Sequence, residues 1–129
     1  MAPRFTLAQI EQAHQGVTIA GVRDYLEKLY ALGVVSYTSH ISDGHSDYLD
    51  SKGDSLSSAP VHEIYEISGT ANPEHAREAV AAHGLGKTDY LSFSRQLANA
   101  GVATWVMDPV GMTCSFHSKA GDRLFIEEV

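Results

Sequence analysis

The chain has 129 residues, of which 43% are apolar and 19% are charged, and its net charge is −7 at pH 7. This length fits one domain, which we expect over residues 1–129, and it suffices to bury a core without a metal or a disulfide. The nine basic residues are scattered, and no apolar run reaches the roughly 18 residues of a membrane helix, so neither a nucleic-acid nor a membrane partner is expected.

Two helices are predicted first. A capping-box pattern, threonine followed three residues later by glutamine, begins a helix over residues 7–14 that ends near Gly16. Apolar residues at helical spacing predict a second helix over residues 22–32. Gly33 follows it, at the position where a glycine commonly ends a helix.

The hydrophobic pattern then changes to alternation. Residues 34–42 and 45–50 are predicted as strands joined by a two-residue type I′ turn at Asp43-Gly44. A polar loop follows, and residues 61–68 are predicted as a third strand.

The second half begins again with helices. Asn72 as a cap and Pro73 at the first helical position predict a third helix, and a fourth helix is predicted to end at Gly101. The remaining three strands are predicted over residues 102–108, 112–117 and 123–129.

Two helices followed by three strands thus occur twice, which indicates an internal repeat. At a constant offset of 68 residues, Gly33 aligns with Gly101 and Tyr37 aligns with Trp105. The predicted fold is α+β and two-layered, with duplicated ααβββ units over about residues 5–67 and 73–129. The helices are expected to pack on one face of a mainly antiparallel sheet.

The most polar stretch, "HISDGHSDYLDSKGD", covers residues 40–54. The predicted turn would pair His40 with Asp47 and place both of them, together with His45, on the face of the hairpin that points away from the core. Two imidazoles and a carboxylate are the ligands of an open zinc site or a facial triad, and they also suit acid–base chemistry. The alternative is an ordinary polar turn on a solvated sheet face.

Two other residues bear on function. Lys87 precedes a predicted helix and is a candidate anion-binding residue. The candidate ligand-binding residues are therefore His40, His45, Asp47 and Lys87. Cys114 is the only cysteine, so we expect no internal disulfide and a cytoplasmic location, and its apolar strand predicts a buried, inert thiol. The N-terminal sequence lacks the apolar region of a signal peptide.

Three stretches carry a family resemblance. They are "FTLAQIEQAH", "LGVVSYTSHISDGHSDYLD" and "GKTDYLSFSRQLANAGVATWVMDPVGMTCSFHSKAGD". They resemble the YbcV-like family, a bacterial family of unknown function whose members are sometimes labelled phage envelope protein. The resemblance covers nearly the whole chain and implies a shared fold and domain span, but no activity.

Three functional hypotheses follow. The leading one is a small cytoplasmic binding or accessory module without catalysis of its own and without a cofactor. Its partner would be a small molecule, a protein or a second copy of the chain. The alternative is an enzyme that holds a divalent metal with His40, His45 and Asp47. The third, a phage-related structural protein, depends only on the label that the resemblance supplies.

The charge pattern generates a first prediction. At about 150 mM salt, where contacts to phosphate alone are weak, the protein should show no useful affinity for DNA or RNA. Fluorescence anisotropy with labelled single-stranded and duplex DNA measures this directly. Sub-micromolar binding at that salt concentration would contradict the expectation.

Overall fold

The structure, a computed structural model, describes residues 5–14, 22–85 and 87–128. Its fold is α+β, with four helices and six strands in these ranges. They are, in chain order, α1 (Leu7–His14), α2 (Val22–Leu32), β1 (Val34–His40), β2 (Ser46–Asp50), β3 (Ser55–Ser57), α3 (Pro73–Gly84), α4 (Tyr90–Asn99), β4 (Val102–Asp108), β5 (Thr113–Ser118) and β6 (Arg123–Glu128). The predicted helix end at Gly16 and the last predicted strand residue, Val129, lie outside the described ranges.

The six strands form one sheet in the order β3-β2-β1-β4-β5-β6, and all five neighbouring pairs are antiparallel. β1 and β4 are neighbours at the centre of the sheet, where Ser39 pairs with Trp105 and His40 pairs with Thr104. This central pairing joins the first three strands to the last three. The sheet edges are β3 and β6.

Side-chain caps explain where α1, α3 and α4 begin. Before α1, Thr6 and Gln9 exchange the two hydrogen bonds of the predicted capping box, at 2.8 and 3.2 Å. Before α3, the side chain of Asn72 accepts the N–H of His75 at 3.0 Å. Before α4, Asp89 accepts the N–H of Ser92 at 2.7 Å. These caps satisfy N–H groups that have no partner inside the helix.

The buried apolar residues form two clusters, one for each half of the chain. The first cluster joins α1 and α2 to β1 and β2, and includes Leu26, Leu29 and Tyr37. The second joins α3 and α4 to β4, β5 and β6, and includes Leu97 and Phe116. Because side chains alternate along a strand, the neighbouring residues of β1 and β2 lie on the other face of the sheet.

The prediction of a strand over residues 61–68 is wrong, because the third strand is β3 at residues 55–57, inside the predicted polar loop. The backbone N–H groups of Val61 and His62 donate to the carbonyl oxygen of Asp43 at 2.8 and 3.2 Å. The N–H of Tyr65 donates in the same way to Ser42, at 2.7 Å. Residues 61–65 therefore bind the β1–β2 turn through backbone hydrogen bonds instead of extending the sheet.

In the described part of the chain, no helix combines the length and the apolar character that a membrane crossing requires.

Gly101, which follows α4, generates a stability prediction. Its φ is 82°, and a Cβ built there would lie 2.7 Å from the Cα of Ala71. Gly121 has a similar φ of 92° but no heavy atom within 4 Å of such a Cβ. Gly121→Ala should cost about 1 kcal/mol through backbone strain alone. Gly101→Ala should cost about 1–3 kcal/mol more, because backbone atoms must also move.

Urea unfolding of the two variants and the parent measures both free energies of unfolding. Equal losses in the two variants would mean that the close approach of residues 70–71 to Gly101 does not exist in solution.

Candidate metal centre

The turn that joins β1 to β2 has four residues instead of the predicted two. The N–H of His40 donates to the carbonyl oxygen of His45 at 2.9 Å, and the next pair along the ladder is Ser39 with Ser46. Residues 41–44 therefore form the turn. The prediction of a two-residue turn at Asp43-Gly44 is wrong.

Contacts beyond the hairpin explain the longer turn. Ile41 is only 2% exposed and packs in the cluster of the second half, and its N–H donates to the carbonyl oxygen of Ala103 at 2.9 Å. Gly44 has a φ of 80° and its N–H donates to the carbonyl oxygen of His40 at 2.8 Å. In the observed turn Ile41 is thus bonded to the strand on its other side and packed against the second half of the chain.

The wrong turn length shifts the predicted β1–β2 pairing by two residues, but each side chain stays on its predicted face of the sheet. The predicted pairing of His40 with Asp47 is wrong: His40 lies opposite His45, and Asp47 pairs with Thr38. Because side chains alternate with a period of two, only an odd shift would send them to the other face. His40, His45 and Asp47, called the His–Asp cluster below, consequently share the face opposite Tyr37.

The three side chains of the His–Asp cluster contact one another. The imidazole rings of His40 and His45 are stacked, with centroids 4.1 Å apart and an interplanar angle of 7°. Oδ2 of Asp47 lies 2.7 Å from Nε2 of His40, and Oδ1 lies 3.8 Å from Nε2 of His45. One ligand atom from each residue can be chosen so that all three lie within 4.8 Å of one another.

Two further side chains fix the orientation of the cluster. Oδ1 of Asp43 accepts hydrogen bonds from the backbone N–H of His45 (3.0 Å) and from its Nδ1 (2.5 Å). The contact with a carboxylate assigns the ring proton of His45 to Nδ1, so Nε2 of the neutral ring keeps a free lone pair. The hydroxyl of Ser57, on β3, donates to Oδ1 of Asp47 at 2.6 Å.

The same contacts favour the ionised form of both carboxylates. The pKa of Asp43 is lowered, first by the backbone N–H of His45 and then by its imidazole. For Asp47 the largest influence is burial, which raises the pKa. The hydrogen bonds from Ser57 and His40, with the nearby imidazoles, outweigh burial and lower the pKa overall. A lowered pKa keeps each group charged at neutral pH, the form that binds metals and accepts hydrogen bonds.

The cluster has the composition of an open metal site. Imidazole nitrogens and a carboxylate oxygen suit zinc and other divalent transition metals. Ligating histidines commonly donate their second ring N–H to a carboxylate, as His45 does to Asp43. The side chains of His40, His45 and Asp47 are 31, 28 and 39% exposed, so a solvated ion can reach them.

The structure does not bring Lys87 to this cluster. Lys87 is exposed between α3 and α4, and its backbone N–H donates to the carbonyl oxygen of Ala82 at 3.0 Å. In the described ranges no contact joins its side chain to the His–Asp cluster, so anion binding by Lys87 stays a prediction. Gly86, which precedes it, lies outside the described residues.

Sequence reasoning missed the three residues that surround the cluster. Asp43 was assigned only to the turn, although an aspartate two residues before a histidine is a pattern in which the carboxylate accepts the N–H of residue i+2. Ser57 could not be found, because β3 was not predicted. Thr38 pairs with Asp47 only in the observed register.

Cys114 is buried in the second cluster, as the sequence predicted, with 8% of its surface exposed. Burial first, and the charge of Glu127 second, raise the pKa of its thiol to about 12. A thiol with this pKa is almost entirely protonated at neutral pH and is a poor nucleophile.

Comparison with known proteins identifies a family without an assigned function. The family described as "Protein of unknown function (DUF1398)" matches residues 11–128. A curated relative, "Uncharacterized protein YcgX" of Escherichia coli (strain K12), is 33% identical over 66 residues. That match covers 51% of this chain and 49% of the relative, so it spans about half of either protein. Neither description states an activity or a ligand.

The raised pKa of Cys114 generates a prediction about its reactivity. At pH 8 the folded protein should hold about a thousandfold less thiolate than an exposed cysteine, whose pKa is about 8.5. Its reaction with a disulfide reagent should therefore be very slow, and should become fast when urea unfolds the chain. Cys114→Ser gives the background signal. Rapid labelling of the folded protein would contradict the buried position.

Proposed function

The chain belongs to the DUF1398 family of unknown function, so its function has to be argued from its own residues, and we propose that it is a small binding protein for a divalent transition-metal ion. His40, His45 and Asp47 are the proposed ligands. This proposal keeps the binding role of the leading sequence hypothesis and takes the metal site of the alternative. It assigns no catalysis to the protein.

The observation that carries the proposal is the support around the cluster. An ordinary turn accounts for the bond from the backbone N–H of His45 to Asp43, but it requires neither the bond from the imidazole of His45 to Asp43 nor the bond from Ser57 to Asp47. Here Asp43 holds His45 through two hydrogen bonds, and Ser57 holds Asp47 through one. Such contacts keep the ligand side chains close together before the ion arrives, which reduces the entropy lost on binding. The stacked rings of His40 and His45 have to tilt towards each other when they bind one ion, because their lone pairs lie in nearly parallel planes. Binding at His40 would displace the proton that its ring shares with Asp47.

The second half of the chain supplies an internal comparison. The hairpin of β4 and β5 has the same register at an offset of 68, since Tyr37 pairs with Tyr48 and Trp105 pairs with Phe116. At the positions that correspond to His40, His45 and Asp47 it carries Asp108, Thr113 and Ser115. The same hairpin therefore forms without the histidines, which supports a role for them beyond folding.

We also infer that the two halves arose by duplication, with helices on one side of the sheet. Besides the shared register, both hairpins have an irregularity at equivalent positions, Val34/Ser36 and Val102/Thr104. The turns after β2 and β5 repeat the same hydrogen bond, from Asp50 to Asp54 and from Ser118 to Asp122. These irregularities at one common offset support a shared origin of the two halves.

The cellular location and the family resemblance inferred from the sequence also belong to this proposal. We place the protein in the cytoplasm, because its single cysteine is a buried, reduced thiol. The resemblance to YbcV-like proteins is compatible with membership of a family of unknown function. The phage envelope label gains no support from the matched proteins, and we do not propose a structural role.

Calorimetric titration of the metal-free protein with Zn²⁺ tests the proposal. We expect one ion per chain. The double variant His40→Ala/His45→Ala should lose binding, and Asp43→Asn should bind about 10- to 100-fold more weakly because it supports a ligand. His75→Ala is the matched control, since His75 is an exposed histidine on α3.

Far-ultraviolet circular dichroism of each metal-free variant establishes that it is folded. Zinc binding by the double variant with unchanged affinity would eliminate this site, and a wild-type protein that binds no zinc or cobalt would eliminate the proposed function.

A further inference from the structure

The His–Asp cluster occupies three corners of a square on the open face of the sheet. His40 lies opposite His45, and Thr38 lies opposite Asp47. Opposed residues have Cβ atoms about 5 Å apart, and successive residues on one face of a strand are about 7 Å apart. The fourth corner is therefore the side chain of Thr38, half-buried beside two of the three proposed ligands.

A threonine hydroxyl is a poor ligand for zinc or cobalt, so this corner does not complete the coordination of the ion. In the described ranges, the candidate ligand group has three members. Zinc sites with three protein ligands keep a fourth position for water or for an exogenous ligand, whereas structural sites have four protein ligands. Asp43 is not a member of this group, and its Oδ1 accepts two hydrogen bonds from His45.

The surroundings of the fourth position favour an oxygen anion. A divalent ion bound by two neutral imidazoles and the carboxylate of Asp47 keeps one positive charge among its direct ligands, and the carboxylate of Asp43 offsets part of this charge through His45. Thr38 offers a hydroxyl donor at the adjoining corner. On the other side of His40, the neighbouring strand contributes Thr104, again a hydroxyl and not a carboxylate. Donors and positive charge, without a competing acid at these two positions, are what a small oxyanion requires.

We infer that the metal-loaded protein binds a small oxyanion, of the carboxylate or phosphate class, as the fourth ligand of its ion, and that the hydroxyl of Thr38 donates a hydrogen bond to it. This inference rests on the proposed metal site. It gives the binding protein a second, anionic ligand that is held only when the ion is present.

Cobalt is the useful probe, because the visible absorption of Co²⁺ changes when one of its ligands changes. The protein loaded with Co²⁺ is titrated with inorganic phosphate, and the metal-free protein serves as the blank. We expect a saturable spectral change with wild type. Thr38→Val keeps the shape of the side chain but removes the donor, so phosphate affinity should fall about tenfold while the cobalt affinity stays the same.

Two more variants sharpen the test. Thr38→His places a third imidazole at the fourth corner, so cobalt should bind more tightly and phosphate should no longer change the spectrum. Thr113→Val is the matched control, because Thr113 lies on the same face of β5, beside Asp108 and away from the square. It should behave like wild type.

The outcomes separate the two proposals. If wild type binds no cobalt, the proposed metal function fails, and this inference fails with it. If cobalt binds but phosphate leaves its spectrum unchanged, the metal site stands and the inference is overturned. The inference is also overturned if Thr38→Val and wild type bind phosphate equally well.

Discussion

The alternation of side chains along β1 and β2 is the constraint on which the rest of this molecule depends. It sends Tyr37 and Tyr48 into the core and leaves His40, His45 and Asp47 together on the other face. Because burial of the tyrosines fixes the faces, the polar side chains cannot leave their face without exposing the core. The candidate site is thus maintained by residues that take no part in it.

Sequence reasoning succeeded where the determining contacts are local. Capping side chains and glycines lie within a few residues of the helix ends that they set. The start of α1, the start of α3 and the end of α4 were therefore predicted close to their observed positions. The turn length was not predictable in this way. It depends on the burial of Ile41 among residues of the second half, which are far away in sequence. The third strand was misplaced for a related reason, because residues 61–65 bond to turn carbonyls and not to a strand.

His40, His45 and Asp47 lie on one face, as predicted, although the predicted register was wrong. The register error was two residues, and an even shift leaves every side chain on the same face. The side chains that surround the group were not predicted, because the predicted strand pairing was wrong. Asp43 was interpreted as a turn residue alone, and Thr38 and Ser57 became neighbours of Asp47 only in the observed pairing. A list of candidate ligands can therefore be obtained from alternation, whereas the side chains that orient them require the pairing itself.

The two core clusters meet along one pairing of strands, β1 with β4. Each half otherwise contains its own helices, hairpin and most of its own core. If the halves separated there, each would gain one new strand edge, β1 in the first half and β4 in the second, and these two edges match. The same edges could be joined between two chains, the first half of one with the second half of the other. This pairing thus gives the fold a direct route to a domain-swapped dimer, in which the β1–β4 hydrogen bonds of the monomer form between two chains.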